Sequence, residues 1–185
     1  MTPAVREPGV IHAPDGRHDV TVDGLSGNPV IAAFVASCRR AIGLDAAATD
    51  DIAHILWDKY VALVGFSGAT CLTRAPIGVV FEHPESLAFL RGILSENLAV
   101  ANAVGRSFPA DQVDRIVTRF RSLAYATKSS MLIDLEAGKP LEAPWLQARM
   151  CALGRDHGVE TPANAAVFAA LAPYVGGRSP TAPPH

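Results

Sequence analysis

Lys59 is the first residue of this sequence whose type and position suggest chemistry. It lies in the stretch HILWDKYVALVGFSGATCL, after which no charged residue occurs until Arg74. On helical spacing, its neighbours one turn away are the apolar residues Ile55, Leu56, Ala62 and Leu63. Two interpretations follow. Either the lysine stem covers apolar surface while its ammonium reaches water, or the ammonium serves as a general acid in an apolar site.

Two further polar groups would complement such an ammonium. Ser129 and Ser130 stand at the start of a predicted helix, where hydroxyls and unpaired backbone N–H groups either cap the helix or hold an anion. Glu142 is the carboxylate of the otherwise apolar stretch KPLEAPWLQ, and it is either a first-turn acid favoured by the helix dipole or a binding group. An ammonium, a carboxylate and a hydroxyl together suit a small hydroxy or keto acid, and we expect Lys59 and Glu142 to approach each other.

The remaining reactive residues favour structural roles. His54 has helical spacing to Asp51 and to Asp58, but no third ligand follows, so we predict no metal site. Trp57 and Trp145 are predicted to be core residues. The three cysteines are far apart, form no Cys-x-x-Cys pair and are predicted to be small buried residues in a reducing cytoplasm; they are Cys38, Cys71 and Cys151.

Composition excludes several functional classes. The chain has 185 residues, 49% hydrophobic and 18% charged, with a formal net charge of −2, so no basic surface for nucleic acid is expected. The N-terminus MTPAVREPGV lacks the basic start and apolar core of a signal peptide. The apolar run after Lys59 is shorter than the roughly 20 residues that a membrane span needs. A cytoplasmic protein that does not associate with membranes is therefore predicted.

The elements that must position these residues fall into two regions. Residues 1–48 read as two strands and a helix: GVIHA, a tight turn at PDGR, HDVTVDG, and then a helix that Asn28 caps, that starts at Pro29 and that ends near Gly43. So few strands cannot bury both faces of a sheet, which indicates the last part of a larger domain. No G-x-G-x-x-G motif follows either strand.

Residues 49–177 are predicted to be helical. Thr49 or Asp50 is the expected N-cap of the helix that carries Lys59, and the segment APIG, residues 75–78, is expected to stop it. Further helices are predicted after Pro84 and Pro109, and over the segments SSMLIDLEAG, PWLQARMCALGRDHG and NAAVFAALAPYV. The Pro-rich tail, residues 178–185, is predicted to be disordered.

Four segments together resemble the C-terminal part of the ketopantoate reductase (2-dehydropantoate 2-reductase) family, and the resemblance covers nearly the whole chain. They are GVIHAPDGRHDVTVDG, similar to the end of its nucleotide-binding domain; LWDKYVALVG, similar to its W-x-K helix; SSMLIDLEAGKPLEAPWL, similar to its S-S-M-x-x-D segment and following glutamate; and HGVETPANAAVFAAL, similar to its G-x-x-T-P-x-N segment. The resemblance implies a helical domain of the 6-phosphogluconate dehydrogenase type, preceded by a short α/β remnant of a Rossmann domain.

The same resemblance implies an NADPH-dependent reduction of a 2-keto acid to a 2-hydroxy acid, in pantothenate and coenzyme A synthesis for the founding members. Lys59 then matches the catalytic lysine that protonates the alkoxide, while Glu142 and Ser130 match residues that bind the substrate. Ser67 stands where the founding members carry a second substrate-binding asparagine. A homodimer is also implied.

Two departures from the family leave alternatives open. Leu63 and Ser67 replace asparagines that contact the substrate and the lysine, which favours a keto acid other than ketopantoate. The glycine-rich cofactor loop would precede Met1, so the chain alone is expected to hold no NADP and to be inactive. The alternatives are a relative that reduces another 2-keto acid and a non-catalytic helical assembly module.

Overall fold

The computed structural model describes residues 4–7, 10–12, 18–24 and 27–177. The chain divides into two compact units, Met1–Leu56 and Trp57–His185. The predicted turn PDGR, residues 14–17, and the predicted disordered tail, residues 178–185, lie outside the described residues.

The described residues of the first unit form four strands where the sequence predicted two. Strands β1 (Ala4–Glu7) and β2 (Val10–His12) are antiparallel, and β3 (His18–Asp23) runs parallel to β4 (Leu44–Thr49) with Val20 opposite Ala46. The predicted strands are β2 and β3, but each pairs with a different partner in the described chain, β2 with β1 and β3 with β4. Strand β4, LDAAAT, was not predicted, because alanine and aspartate have low strand propensity.

Helix α1 (Pro29–Arg40) connects β3 to β4 in this unit. As predicted, Asn28 caps it and Pro29 occupies its first position, where a missing N–H costs nothing. Its apolar face packs on the two parallel strands and buries Val35 and Cys38 with Ala46 of β4. This packing is the strand–helix–strand arrangement of an α/β domain.

The second unit is helical, as the sequence predicted. Its elements are α2 (Ile52–Thr73), which begins in the first unit, α3 (Ile77–Glu82), α4 (Pro84–Ala103), α5 (Gln112–Arg121), α6 (Ser130–Glu136), a π-helical turn (Pro144–Ala148), α7 (Arg149–Asp156), α8 (Pro162–Leu171) and a 3-10 turn (Ala172–Tyr174). Helix α3 and the π-helical turn were not predicted. The N-cap of α2 is Asp51, one residue beyond the predicted Thr49 or Asp50: its carboxylate accepts a hydrogen bond from the His54 N–H at 3.0 Å.

Helix α2 lies between two hydrophobic clusters. Val64 and Cys71 belong to a cluster with residues of α6, α7 and α8, while Val61 and Ala69 belong to a second cluster with residues of α3, α4 and α5. A helix with apolar residues around its whole circumference is one that is buried on all sides, which explains the long uncharged run after Lys59. No helix within the described residues is long and apolar enough to cross a membrane.

Candidate functional site

Lys59 lies in α2, and its side chain is exposed. Within the described chain, its ammonium makes no hydrogen bond and no ion pair. Its sequence neighbour Asp58, in contrast, accepts hydrogen bonds from Gln112 Nε2 at 2.6 Å and from Arg119 Nη1 at 2.9 Å, both on α5. The turn that carries Lys59 is therefore fixed to α5 on one side while the lysine itself stays available.

The other neighbour, Tyr60, fixes the same turn to the π-helical turn. Its hydroxyl donates to the backbone carbonyl oxygens of both Trp145 and Leu146, each at 3.0 Å. One turn further along α2, the amide of Gln147 donates to the Val64 carbonyl oxygen at 3.1 Å. Burial raises the pKa of Tyr60 to about 12, so its hydroxyl stays protonated as a donor over the ordinary pH range.

Glu142 lies directly before the π-helical turn, and its side chain is exposed. Its backbone carbonyl accepts the Trp145 N–H at 2.8 Å and the Leu146 N–H at 3.0 Å, so Glu142 is part of the same hydrogen-bonded turn. Because Tyr60 contacts this turn, the segments that carry Lys59 and Glu142 lie side by side. No ion pair joins the two side chains among the described residues.

Ser129 and Ser130 have different environments. Ser129 is 2% exposed, and its hydroxyl caps α6 by accepting the Leu132 N–H at 3.0 Å. It also shares a hydrogen bond of 2.8 Å with the hydroxyl of Thr70, which lies roughly 16 Å along α2 from Lys59 at the usual helical rise. The capping interpretation therefore holds for Ser129. Ser130 is exposed, and no described contact connects it to the turn of Lys59.

Ser67 is fully buried in α2, with 0% of its surface exposed. Its hydroxyl has no hydrogen-bond partner within the described residues. The structure therefore does not present Ser67 to solvent, where a substrate would approach. Leu63, which stands where the founding members carry an asparagine, is half-buried and packs against the cluster that contains Val64.

Three cavities of the second unit lie elsewhere. The first, of about 250 Å³, is lined by residues that include Arg74 and Tyr174. The second, of about 620 Å³, is lined by residues that include Cys151 and Thr161, and the third, of about 350 Å³, by residues that include Phe81 and Tyr125. None is lined by Lys59, Glu142, Ser130 or Ser67, so these cavities do not supply the apolar pocket that we expected around the lysine. In the part of the chain that is described, no three His, Cys, Asp or Glu side chains are placed to hold a metal ion.

The junction of β3 and α1 does not fit the pyrophosphate of the NADPH that the family resemblance implies. A dinucleotide needs a strand-to-helix junction whose backbone N–H groups can receive its pyrophosphate. At the junction of β3 and α1, Pro29 has no N–H, and the Asn28 side chain already accepts the N–H groups of Val30 at 3.0 Å and Ile31 at 3.4 Å. The donors at the start of α1 are thus occupied by the chain itself.

Two residues of the site region were missed or misplaced from the sequence. Tyr60 was not singled out, because its hydrogen-bond partners lie far along the chain. Its position directly after Lys59 was the one signal in the sequence that could have drawn attention to it. Trp145 was predicted to be a core residue, but it is 76% exposed. The π-helical turn explains the difference, since its wider winding shifts side chains away from the directions that α-helical spacing predicts.

Comparison with known proteins identifies the family. The family described as "Ketopantoate reductase PanE/ApbA C terminal" matches residues 51–175. A 2-dehydropantoate 2-reductase of Halobacterium salinarum is 30% identical over 161 residues, which are 84% of this chain and 51% of that protein. The chain thus spans about half the length of this relative.

Solved structures agree. The 2-dehydropantoate 2-reductase of Methylococcus capsulatus is 28% identical with a TM-score of 0.78, over 92% of this chain and 55% of that one. A dimeric ketopantoate reductase of Staphylococcus aureus is 23% identical with a TM-score of 0.74, over 85% of this chain and 54% of that one, and shows the same fold. The helical unit with its exposed Lys59 and Glu142 therefore belongs to the C-terminal domain of the ketopantoate reductase family.

Proposed function

We propose that this chain is the substrate-binding C-terminal part of an oxidoreductase that reduces a 2-keto acid to a 2-hydroxy acid, with Lys59 as the general acid. One observation carries the proposal: Lys59 is exposed and unpaired within the described chain, while both of its neighbours are anchored. A structural lysine has no need of such a rigid turn. A general acid does, because it must be held within hydrogen-bond distance of one substrate oxygen.

The chemistry assigns a task to each exposed group. When a ketone is reduced, its oxygen gains negative charge, which a nearby ammonium stabilises and then quenches by donating a proton. Lys59 Nζ would hold that proton at the carbonyl oxygen, and Glu142 would accept a hydrogen bond from a substrate hydroxyl. Ser130 would donate its hydroxyl to the substrate carboxylate. NADPH, the implied reductant, would have to be held by residues other than those described.

The substrate class follows from what lies next to Lys59 along α2. Leu63, one turn beyond the lysine, has no hydrogen-bonding group where the founding enzymes have an amide. A site without that amide loses its means of preferring the polar ketopantoate. We therefore propose a 2-keto acid that keeps a hydroxyl for Glu142 but is more apolar than ketopantoate where it meets Leu63. Ser67, the other replaced position, is buried, and nothing in the fold supports a substrate contact for it.

The domain organisation, the assembly and the location belong to the same proposal. Residues 1–48 would be the end of a nucleotide-binding domain and residues 49–177 the substrate-binding domain, in a cytoplasmic protein. The dimeric Staphylococcus aureus relative and the exposed apolar side chains of Ile133 and Trp145, 49% and 76% exposed, support a homodimer. These assignments can be tested in a protein that includes the cofactor-binding half.

The test compares two lysine substitutions in a form of the protein that carries a nucleotide-binding half as well as this chain. Lys59→Ala should lower kcat for keto-acid reduction about 10²–10⁴-fold, the usual contribution of general acid catalysis. Lys139→Ala is the matched control and should leave kcat unchanged. The Lys139 side chain is 66% exposed, and its ammonium makes a surface ion pair of 3.8 Å with the Asp134 carboxylate. NADPH oxidation with a panel of 2-keto acids gives the rates. Equal activity of Lys59→Ala and wild type would overturn the role of Lys59, and no turnover of any keto acid would favour a non-catalytic assembly module.

A further inference from the structure

Tyr60 occupies an unusual place between the two proposed functional groups. It directly follows Lys59, and its hydroxyl donates to two consecutive carbonyl oxygens, those of Trp145 and Leu146, at 3.0 Å each. These carbonyls belong to the π-helical turn that Glu142 precedes. A single hydroxyl thus connects the turn of the proposed acid to the turn of the proposed substrate-binding carboxylate.

The π-helical turn needs such support. π-helical segments are rare, usually last one turn and often lie at functional sites, because their wider winding is less stable than an α-helix. Here the turn is held from outside at two points. Tyr60 binds its carbonyls, and the Gln147 side chain, 0% exposed, donates to the Val64 carbonyl oxygen of α2 at 3.1 Å.

The two contacts differ in what they hold. The Gln147 contact is buried and ties the turn to the middle of α2, so it maintains the packing of the unit. The Tyr60 contact is made by the residue that directly follows Lys59, and it reaches carbonyl oxygens three and four residues beyond Glu142. Asp58, on the other side of Lys59, is bonded to Gln112 and Arg119, so the turn of Lys59 keeps a second contact if the Tyr60 contact is lost.

We propose that Tyr60 is a positioning residue, whose hydroxyl sets the separation between the Lys59 ammonium and the Glu142 carboxylate. This inference rests on the proposed function, because it assigns those two groups to one substrate. The separation determines whether the proton of Lys59 reaches the carbonyl oxygen of a substrate that Glu142 holds. A displacement of about 1 Å is enough to slow such a step up to about 100-fold.

The kinetic test is Tyr60→Phe, which removes the hydroxyl and keeps the ring. In the protein that includes the cofactor-binding half, kcat should fall about tenfold while KM changes less than about twofold, because proton transfer is affected more than binding. Tyr125→Phe is the matched control: it also removes a phenol hydroxyl, which donates to Glu82 at 2.7 Å on the surface, and kcat should stay unchanged. Thermal unfolding of both variants records any change in Tm.

A second test needs no turnover and uses this chain as it stands. The chain has two tryptophans, Trp57 and Trp145, so 5-fluorotryptophan labelling gives two ¹⁹F NMR signals. Trp57 contacts the Tyr60 ring edge-on at 5.8 Å, a contact that phenylalanine keeps, so its signal should stay in place. The Trp145 signal should shift or broaden in Tyr60→Phe, because its own carbonyl loses a hydrogen bond. In Tyr125→Phe neither signal should move.

The outcomes separate this inference from the proposed function. If Lys59→Ala is inactive but Tyr60→Phe retains the wild-type kcat, Lys59 is the acid and Tyr60 does not position it. If the Trp145 signal is the same in wild type and Tyr60→Phe, the hydroxyl does not hold the turn and the inference is wrong whatever the enzyme does. A fall in kcat together with a shifted Trp145 signal, both absent from Tyr125→Phe, supports it.

Discussion

The residues that the family resemblance places in one site differ in how far their side chains are exposed. Lys59, Glu142 and Ser130 have exposed side chains, whereas Ser67 is completely enclosed in α2. A residue that binds substrate must reach the surface of a cleft, while a buried hydroxyl without a partner only loses its hydrogen bonds to water. The buried Ser67 hydroxyl is therefore expected to lower the free energy of unfolding, because no hydrogen bond within the described residues replaces the one it loses to water.

Ser67→Ala tests this interpretation. Removal of a buried, unsatisfied hydroxyl should raise the free energy of unfolding by about 1 kcal/mol, with a small further gain from helix propensity. Ser95→Ala on the exposed surface of α4 is the control, and it should show the propensity gain of a few tenths of a kcal/mol only. Urea unfolding followed by circular dichroism measures both. A lower free energy of unfolding for Ser67→Ala would mean that the hydroxyl has a partner after all.

Residue roles were predictable from the sequence where the interaction is local. The Asn28 cap was predicted and is confirmed, because a cap joins residues two or three apart. The Tyr60 contacts join residues 85 and 86 positions apart, and no local pattern encodes them. The exposure of Trp145 was missed for the same reason: it depends on how the π-helical turn packs against α2.

At the level of elements, α2 and α4 approach each other closely at Gly65. A Cβ placed on Gly65 would lie 2.5 Å from Leu94 Cδ2 and 3.0 Å from Leu94 Cγ. Leu94 is 0% exposed, so it cannot swing into solvent to make room. The glycine therefore sets the distance between these two helices, and with it the place of the cluster that packs behind the Lys59 turn.

Gly65→Ala should destabilise the chain by about 1–3 kcal/mol, since overpacking of a filled core outweighs the gain in helix propensity. Gly92→Ala in α4 is the matched control: beyond its chain neighbours and the backbone of its own helix, nothing lies within 4 Å of its Cβ position, so it should stabilise by up to about 1 kcal/mol. Thermal and urea unfolding of both variants show whether each substitution raises or lowers the free energy of unfolding. If both substitutions stabilise, the close packing of α2 and α4 is not rigid.

The helices were largely predictable, because proline and capping residues mark their starts and apolar spacing marks their faces. Pro84 occupies the first turn of α4, as predicted, and Pro162 begins α8 two residues before the predicted segment NAAVFAALAPYV. Strand β4 and the π-helical turn were not predictable. The first is rich in alanine and is a strand only because β3 pairs with it, and the second differs from an α-helix only in its hydrogen-bond pattern.

At the level of the whole molecule, the chain combines a complete helical unit with a small α/β unit. The helical unit matches a C-terminal family domain over residues 51–175, and the chain spans about half of its relatives. The α/β unit has the strand–helix–strand order of a nucleotide-binding domain, but its helix start is already capped by Asn28. The proposed catalytic groups and the proposed NADPH site are therefore expected to lie in different parts of the protein.

NADPH titration of the isolated chain tests this division. Fluorescence of the nicotinamide should show no saturable binding up to about 1 mM, the upper end of ordinary KM values, because Asn28 already accepts the N–H groups at the start of α1. The 2-dehydropantoate 2-reductase of Halobacterium salinarum, 51% of which is matched by this chain, is titrated under the same conditions for comparison. Saturable binding to the isolated chain would mean that the Asn28 cap opens or that residues outside the described set hold the nucleotide. In that case the isolated chain should also reduce keto acids and should lose that activity in Lys59→Ala.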